Sequence, residues 1–103
     1  MKNLVAKMIV VGVPPEGARV TLTVEIGRPY EERDAWACPI AIAPLHGKLA
    51  DIRGTDSFHA VWLACTLALK LLDNLKSEGW RLEYADGSEF PIEDYKASLA
   101  PGR

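Results

Sequence analysis

The sequence predicts an α+β fold, a two-layer sandwich in which one long helix packs on one face of an antiparallel sheet of about four to six strands. Three observations carry this. The segment Asp56 to Ser77 is apolar except along one side of a helix, Arg19 to Ile26 alternates strictly between apolar and polar residues, and Asp86-Gly87 is a strong hairpin turn signal.

At 3.6 residues per turn, His59, Thr66, Lys70, Asp73, Asn74 and Ser77 fall within roughly 100° of the helix circumference, with Leu63 as the one apolar residue among them. The remaining arc of roughly 220° is apolar, about twice the stripe a surface helix needs. Val61, Cys65, Ala68 and Leu72 run down its middle. Phe58, Trp62 and Leu69 form one shoulder, and Ala60, Ala64, Leu67, Leu71 and Leu75 the other. Thr55, Asp56 and Ser57 are competent N-caps, Lys76 suits the negative end of the helix dipole, and Gly79 suits a left-handed stop.

Upstream, Val20, Leu22, Val24 and Ile26 alternate with Arg19, Thr21, Thr23 and Glu25, and Leu4 to Val13 is rich in β-branched residues. Pro14 to Gly17 joins the two as a hairpin. Gly27 to Ala35 is polar and reads as an exposed loop. A third strand, Ala35 to Ala43, contains Pro39, which has no N–H for a ladder and so belongs at an edge or a bulge. A short strand is expected around Ala50 to Arg53. After the helix, Trp80, Leu82 and Tyr84 alternate with charged residues, and Glu89 to Ile92 is the expected returning strand. Tyr95 and Leu99 are candidate anchors for the tail.

The chain of 103 residues is read as a single domain, 1–103, with flexible ends at 1–3 and 100–103. Its net charge of −2 and the scatter of its twelve Lys and Arg argue against a nucleic-acid partner, which needs a basic face. The longest uncharged run, Ser57 to Leu69, has 13 residues, fewer than the roughly 20 of a bilayer span, so no membrane partner is expected. Lys7 interrupts the apolar N-terminal stretch, which argues against an export signal. Cys38 and Cys65 sit among apolar neighbours, as reduced core thiols do, and the expected location is cytoplasmic.

Sequences of the form Trp36-Ala-Cys38-Pro39-Ile-Ala-Ile42, then Gly54-Thr55-Asp56-Ser57, then an Ala/Leu-rich helix, are familiar. Over roughly Val20 to Phe90 the chain resembles a family of small bacterial proteins known only as a domain of unknown function. That family shows a Trp-x-Cys-Pro strand, a Gly-x-Asp-Ser helix start and a short C-terminal strand pair. The resemblance implies a fold and a bacterial source, and no activity.

No catalytic, cofactor-binding or metal-ligating residue is assigned, and no cofactor is expected. Cys38, His46, His59 and Cys65 contain no C-x-x-C or H-x-x-x-H spacing, and Cys65 and His59 belong to opposite sides of the helix. The acidic pairs Glu31-Glu32, Glu83-Asp86 and Glu93-Asp94 lie in polar contexts. Asp56 would repel an anion at the helix start. Trp36, Trp62 and Trp80 fall on stretches read as core.

The expected function is therefore non-enzymatic: a protein-interaction or accessory module, of immunity type by size and acidity alone. The wide apolar arc suggests a homo-oligomer, through a helix shoulder or a sheet edge, or an unidentified protein partner. Ala60 and Ala64 would allow close approach of a second chain. The alternative is a small-molecule binder or enzyme with a pocket between helix and sheet, lined by the three tryptophans with His59 at its mouth.

Overall fold

The computed structural model describes residues 1 and 3–99. Residues 2 and 100–103, and the side chain of Leu99 named as an anchor, lie outside the described residues. The fold is α+β. Its strands are β1 (Leu4–Val13), β2 (Val20–Gly27), β3 (Tyr30–Glu32), β4 (Ala35–Cys38), β5 (Ile40–Ala43), β6 (Ile52–Gly54) and β7 (Arg81–Glu83). The helices are α1 (Ser57–Ser77) and α2 (Ile92–Leu99).

The strands form two antiparallel sheets, ordered β5-β2-β1-β7 and β3-β4-β6, where the sequence suggested one. Pro39 causes the division. The stretch read as one strand breaks there, so that β4 belongs to one sheet and β5 to the other. Lacking an N–H, Pro39 offers only its carbonyl, which accepts Gly27 N–H at 2.8 Å at the end of β2. Gly27 to Ala35 is less loop than expected, because Tyr30–Glu32 turns back to pair with Ala35–Ala37.

The long helix starts and stops where its punctuation indicates. The Asp56 carboxylate accepts His59 N–H at 2.7 Å as the N-cap. At the other end Gly79 takes φ +97 and donates to Lys76 O at 3.0 Å, while Trp80 N–H reaches back to Leu75 O at 3.0 Å. These two bonds are the Schellman pair, and they place the Trp80 ring beside the last turn.

Which side of α1 is buried differs from the expectation. Ala68 and Leu72, read as central, are buried as expected, but the buried row is completed by Ala60, Ala64 and Leu75 of one shoulder, whereas Val61 and Cys65, also read as central, are half-buried. The cause is at the helix start. A Cβ on Gly54 would lie 2.5 Å from Ala60 N and 2.8 Å from Ala60 Cα, so β6 and the first turn touch backbone to backbone. This contact draws the alanine row inward, and Ala60 and Ala64 are spent inside the chain instead of meeting a second one. Against them pack Val10, Leu22, Val24, Ile26, Cys38, Ile40 and Ile42 from the strands.

The C-terminal strand pair is reduced to β7 and a single bridge, Glu83 to Glu89. Beyond it Phe90 and Ile92 are buried, and the chain turns into α2 instead of continuing as a strand. Glu93 and Asp94 in its first turn suit the positive end of that helix, and Lys96 meets Asp73 of α1 at 3.1 Å.

Gly54→Ala should cost about 1 to 3 kcal/mol through overpacking, Leu72→Ala about 2 to 5 and Asp56→Ala about 1. Denaturant unfolding measures each against the parent. Unchanged midpoints for Gly54→Ala and Leu72→Ala would contradict the packing described.

Candidate functional site

With the alanine row turned inward, the opposite shoulder of α1 is left bare. Phe58 is 78% exposed and Trp62 44%, a correction to the core role read for this tryptophan. Residues 58, 62, 65 and 69 follow one another at helical spacing, so the same side of the helix continues along Cys65 and Leu69, which are half-buried. Only 28% of the helix's most apolar stretch is buried. By length and mean hydropathy alone, 21 residues at 1.2, α1 meets the measure of a bilayer span, which the count of uncharged residues had placed out of reach. In this fold it packs on the two sheets.

Beside this shoulder runs an open groove of about 360 Å³, walled by Ala6, Met8, Val24 and Ile26 from the sheet and by Cys65, Ala68 and Leu69 from α1. Tyr95 of α2 and Lys7 stand at its margin. Its outer rim is strand β1, which pairs along its length with β2 but with β7 only at Val11–Val13. Among the described residues, no strand lies on that side of β1 before Val11. On the face away from the helix Ile9 is 50% exposed, and Val5 is 52% exposed where the register shifts between Leu4 and Ala6. A half-open edge, an apolar groove and a bare helix shoulder are thus neighbours on one side of the molecule.

Among the described residues, Trp80 and Trp62 line different hollows and Trp36 lines neither. Trp80 lines a hollow of about 160 Å³ with Lys76, Arg81 and Phe90, and Trp62 a shallow dish of about 460 Å³ with Phe58 and His59. Trp36 lies on β4 opposite Gly54 and packs against the core.

The thiols and imidazoles are likewise dispersed. Cys38 is fully buried, its Sγ 3.4 Å from the Gly27 carbonyl, and burial, aided by Cys65 and Asp51, pushes the thiol up to about 11 from 9.0. Burial also raises the Cys65 thiol. A nucleophile needs the opposite shift. His59 is engaged at the helix start, where its Nδ1 accepts Thr55 N–H at 3.0 Å. No three His, Cys, Asp or Glu side chains converge on a metal position among the described residues.

Several of the acidic side chains have structural partners. Glu83 meets Arg19 and Arg81 at 3.4 Å each, Glu32 meets Arg53 at 2.9 Å, and Glu93 meets Lys96 at 3.5 Å. Asp86 accepts from the Ser88 hydroxyl and backbone N–H, which together hold its carboxyl below the usual range and close the turn.

The chain is thus a small α+β domain whose uncovered apolar surface lies along one side. It belongs to the family described as Domain of unknown function (DUF6968), whose model matches residues 11–92. No curated protein and no solved structure matches the chain.

As pH rises, the unfolded thiol of Cys38 releases its proton near 9.0 while the folded one keeps it to about 11. The folded state holds more protons in that window, so stability should fall from pH 9.0 to about 11. Denaturant midpoints against pH should show this slope, and Cys38→Ala should lessen it, the raised Cys65 thiol keeping a part. A thiol reagent should modify Cys65 before Cys38.

Proposed function

We propose that this chain is a non-catalytic, cytoplasmic protein-contact module of bacterial origin, and that its contact surface is the bare α1 shoulder with the adjoining groove and strand edge. The observation that carries this reading is the exposure of Phe58 and Trp62 beside a mainly apolar groove. Burying a side chain of that size contributes about 1.5 to 3 kcal/mol, so leaving two in water favours association with whatever covers them. The dispersal of thiols, imidazoles and carboxylates, with Cys38, His59, Glu32, Glu83 and Asp86 bonded within the fold, supports an accessory or immunity-type role over chemistry.

A second reading has one observation in its favour. The volume of the groove, about 360 Å³, is within the range of small-molecule sites, and an apolar ligand could lie between Met8, Leu69 and Tyr95.

The variant Phe58→Asp/Trp62→Asp discriminates. Both side chains are exposed, so melting should stay close to that of the parent, while association, with a second copy or with a protein of the native host, should weaken at least about tenfold. Measurement is by sedimentation and by quantitative affinity capture of parent and variant side by side. Association that ignores these substitutions, or a strict monomer without any partner that depends on them, would overturn the reading.

A further inference from the structure

The dish at the start of α1 has a chemistry that the groove beside it lacks. It is walled by Thr55, Asp56, Phe58, His59 and Trp62, a shallow hollow of about 460 Å³. Phe58 and Trp62 stand one helical turn apart on one side of α1, and both are exposed. The face of each ring is the negative part of its quadrupole.

The formal charge in the dish is also negative. Asp56 Oδ1 accepts His59 N–H at 2.7 Å as the helix cap, and Oδ2 has no donor among the described residues. His59 brings no charge, because its Nδ1 accepts Thr55 N–H at 3.0 Å and an imidazolium has no lone pair to accept with. Among the described residues no Lys or Arg lines the hollow, and Arg53, just before it in the chain, is turned to Glu32 at 2.9 Å. The positive end of the α1 dipole opposes a cation, but it amounts to roughly half a charge against the whole charge of Asp56.

We infer that the dish receives an arginine side chain of a basic partner protein, its guanidinium lying across the Phe58 and Trp62 rings and donating to Asp56 Oδ2. The inference rests on the protein-contact reading above and names the chemistry of the partner. A guanidinium is planar and weakly hydrated, so its face stacks on aromatic rings while its N–H edge reaches a carboxylate. A lysine ammonium is compact and strongly hydrated, and a shallow hollow strips too little of its water. An apolar partner would cover the two rings but bury the Asp56 carboxylate without a donor, and an acidic partner would be repelled.

A second copy is a poorer source of the cation. Arg19 and Arg81 are held by Glu83 and Arg53 by Glu32 within the chain. Two chains that each carry a net charge of −2 repel one another, whereas a basic protein is drawn in.

The test uses two acetylated and amidated peptides, Gly-Gly-Arg-Gly-Gly and its counterpart with citrulline, which keeps the shape of arginine and loses the charge. Each is titrated into the isotope-labelled full chain and followed by the indole N–H resonance of Trp62, with that of Trp80, in its own hollow, as the control. The arginine peptide should shift the Trp62 resonance and bind roughly fivefold more tightly than the citrulline peptide. Asn caps a helix as well as Asp, so Asp56→Asn should melt close to the parent while its affinity for arginine falls to the citrulline level. Equal binding of the two peptides, an arginine affinity unchanged in Asp56→Asn, or Trp62 and Trp80 resonances that move alike would overturn the inference. A parent dimer that Asp56→Asn disperses would put a second copy in the dish and overturn it as well. Failure of the peptides, with capture of a host protein still dependent on Phe58 and Trp62, would remove the arginine and leave the contact function standing.

Discussion

The approach of α1 to the strands is set by small residues, and the rest of the arrangement depends on it. Gly54 has no room for a methyl group against Ala60, and Ala64 and Ala68 continue the same row. Side chains this small bring a helix close to a sheet with little entropy lost on burial, and the larger strand residues fill the space around them. A helix held this tightly at its first turn cannot roll to hide its bulkier side. The exposure of Phe58 and Trp62 is therefore a consequence of good packing elsewhere.

Seen from that contact, the motif residues have physical roles. Gly54 permits the approach, Asp56 satisfies the amide of His59, and Thr55 donates its N–H to the His59 ring. Three consecutive residues that resemble a binding loop are occupied in starting one helix. Cys38 has a comparable role beside Pro39, where its thiol meets the Gly27 carbonyl at the corner between the sheets. The chain thus uses its most distinctive residues to hold its own shape, and the surface left for contact is made of ordinary apolar side chains.

Much of the fold was legible in the sequence because its signals are local. Asp56 and Gly79 mark the helix ends, and the alternation from Val20 to Ile26 marks β2, since capping and pleating act over a few residues. The division into two sheets was not legible. Pro39 signals an interruption without saying that the chain changes sheets there. The tail was misread because Phe90 and Ile92, apolar at alternate positions, fit a strand as well as the approach to α2. The contact surface was half legible: the width of the apolar arc shows that something must remain uncovered, but periodicity cannot say which shoulder. That depends on Gly54 meeting Ala60 across a gap in sequence. The open edge of β1 was hidden for a similar reason, since it exists only because β7 is three residues long.

The passage of one chain through Pro39 from sheet to sheet bears on cooperativity. β4 and β5 are consecutive and covalently continuous, and the corner carbonyl is tied to Gly27. The three-stranded sheet consequently cannot peel off as a separate foldon without dragging β5 from β2 and disturbing the seat of α1. Loss of either sheet propagates to the other, which makes one all-or-none transition the natural mode of melting for a domain of this size.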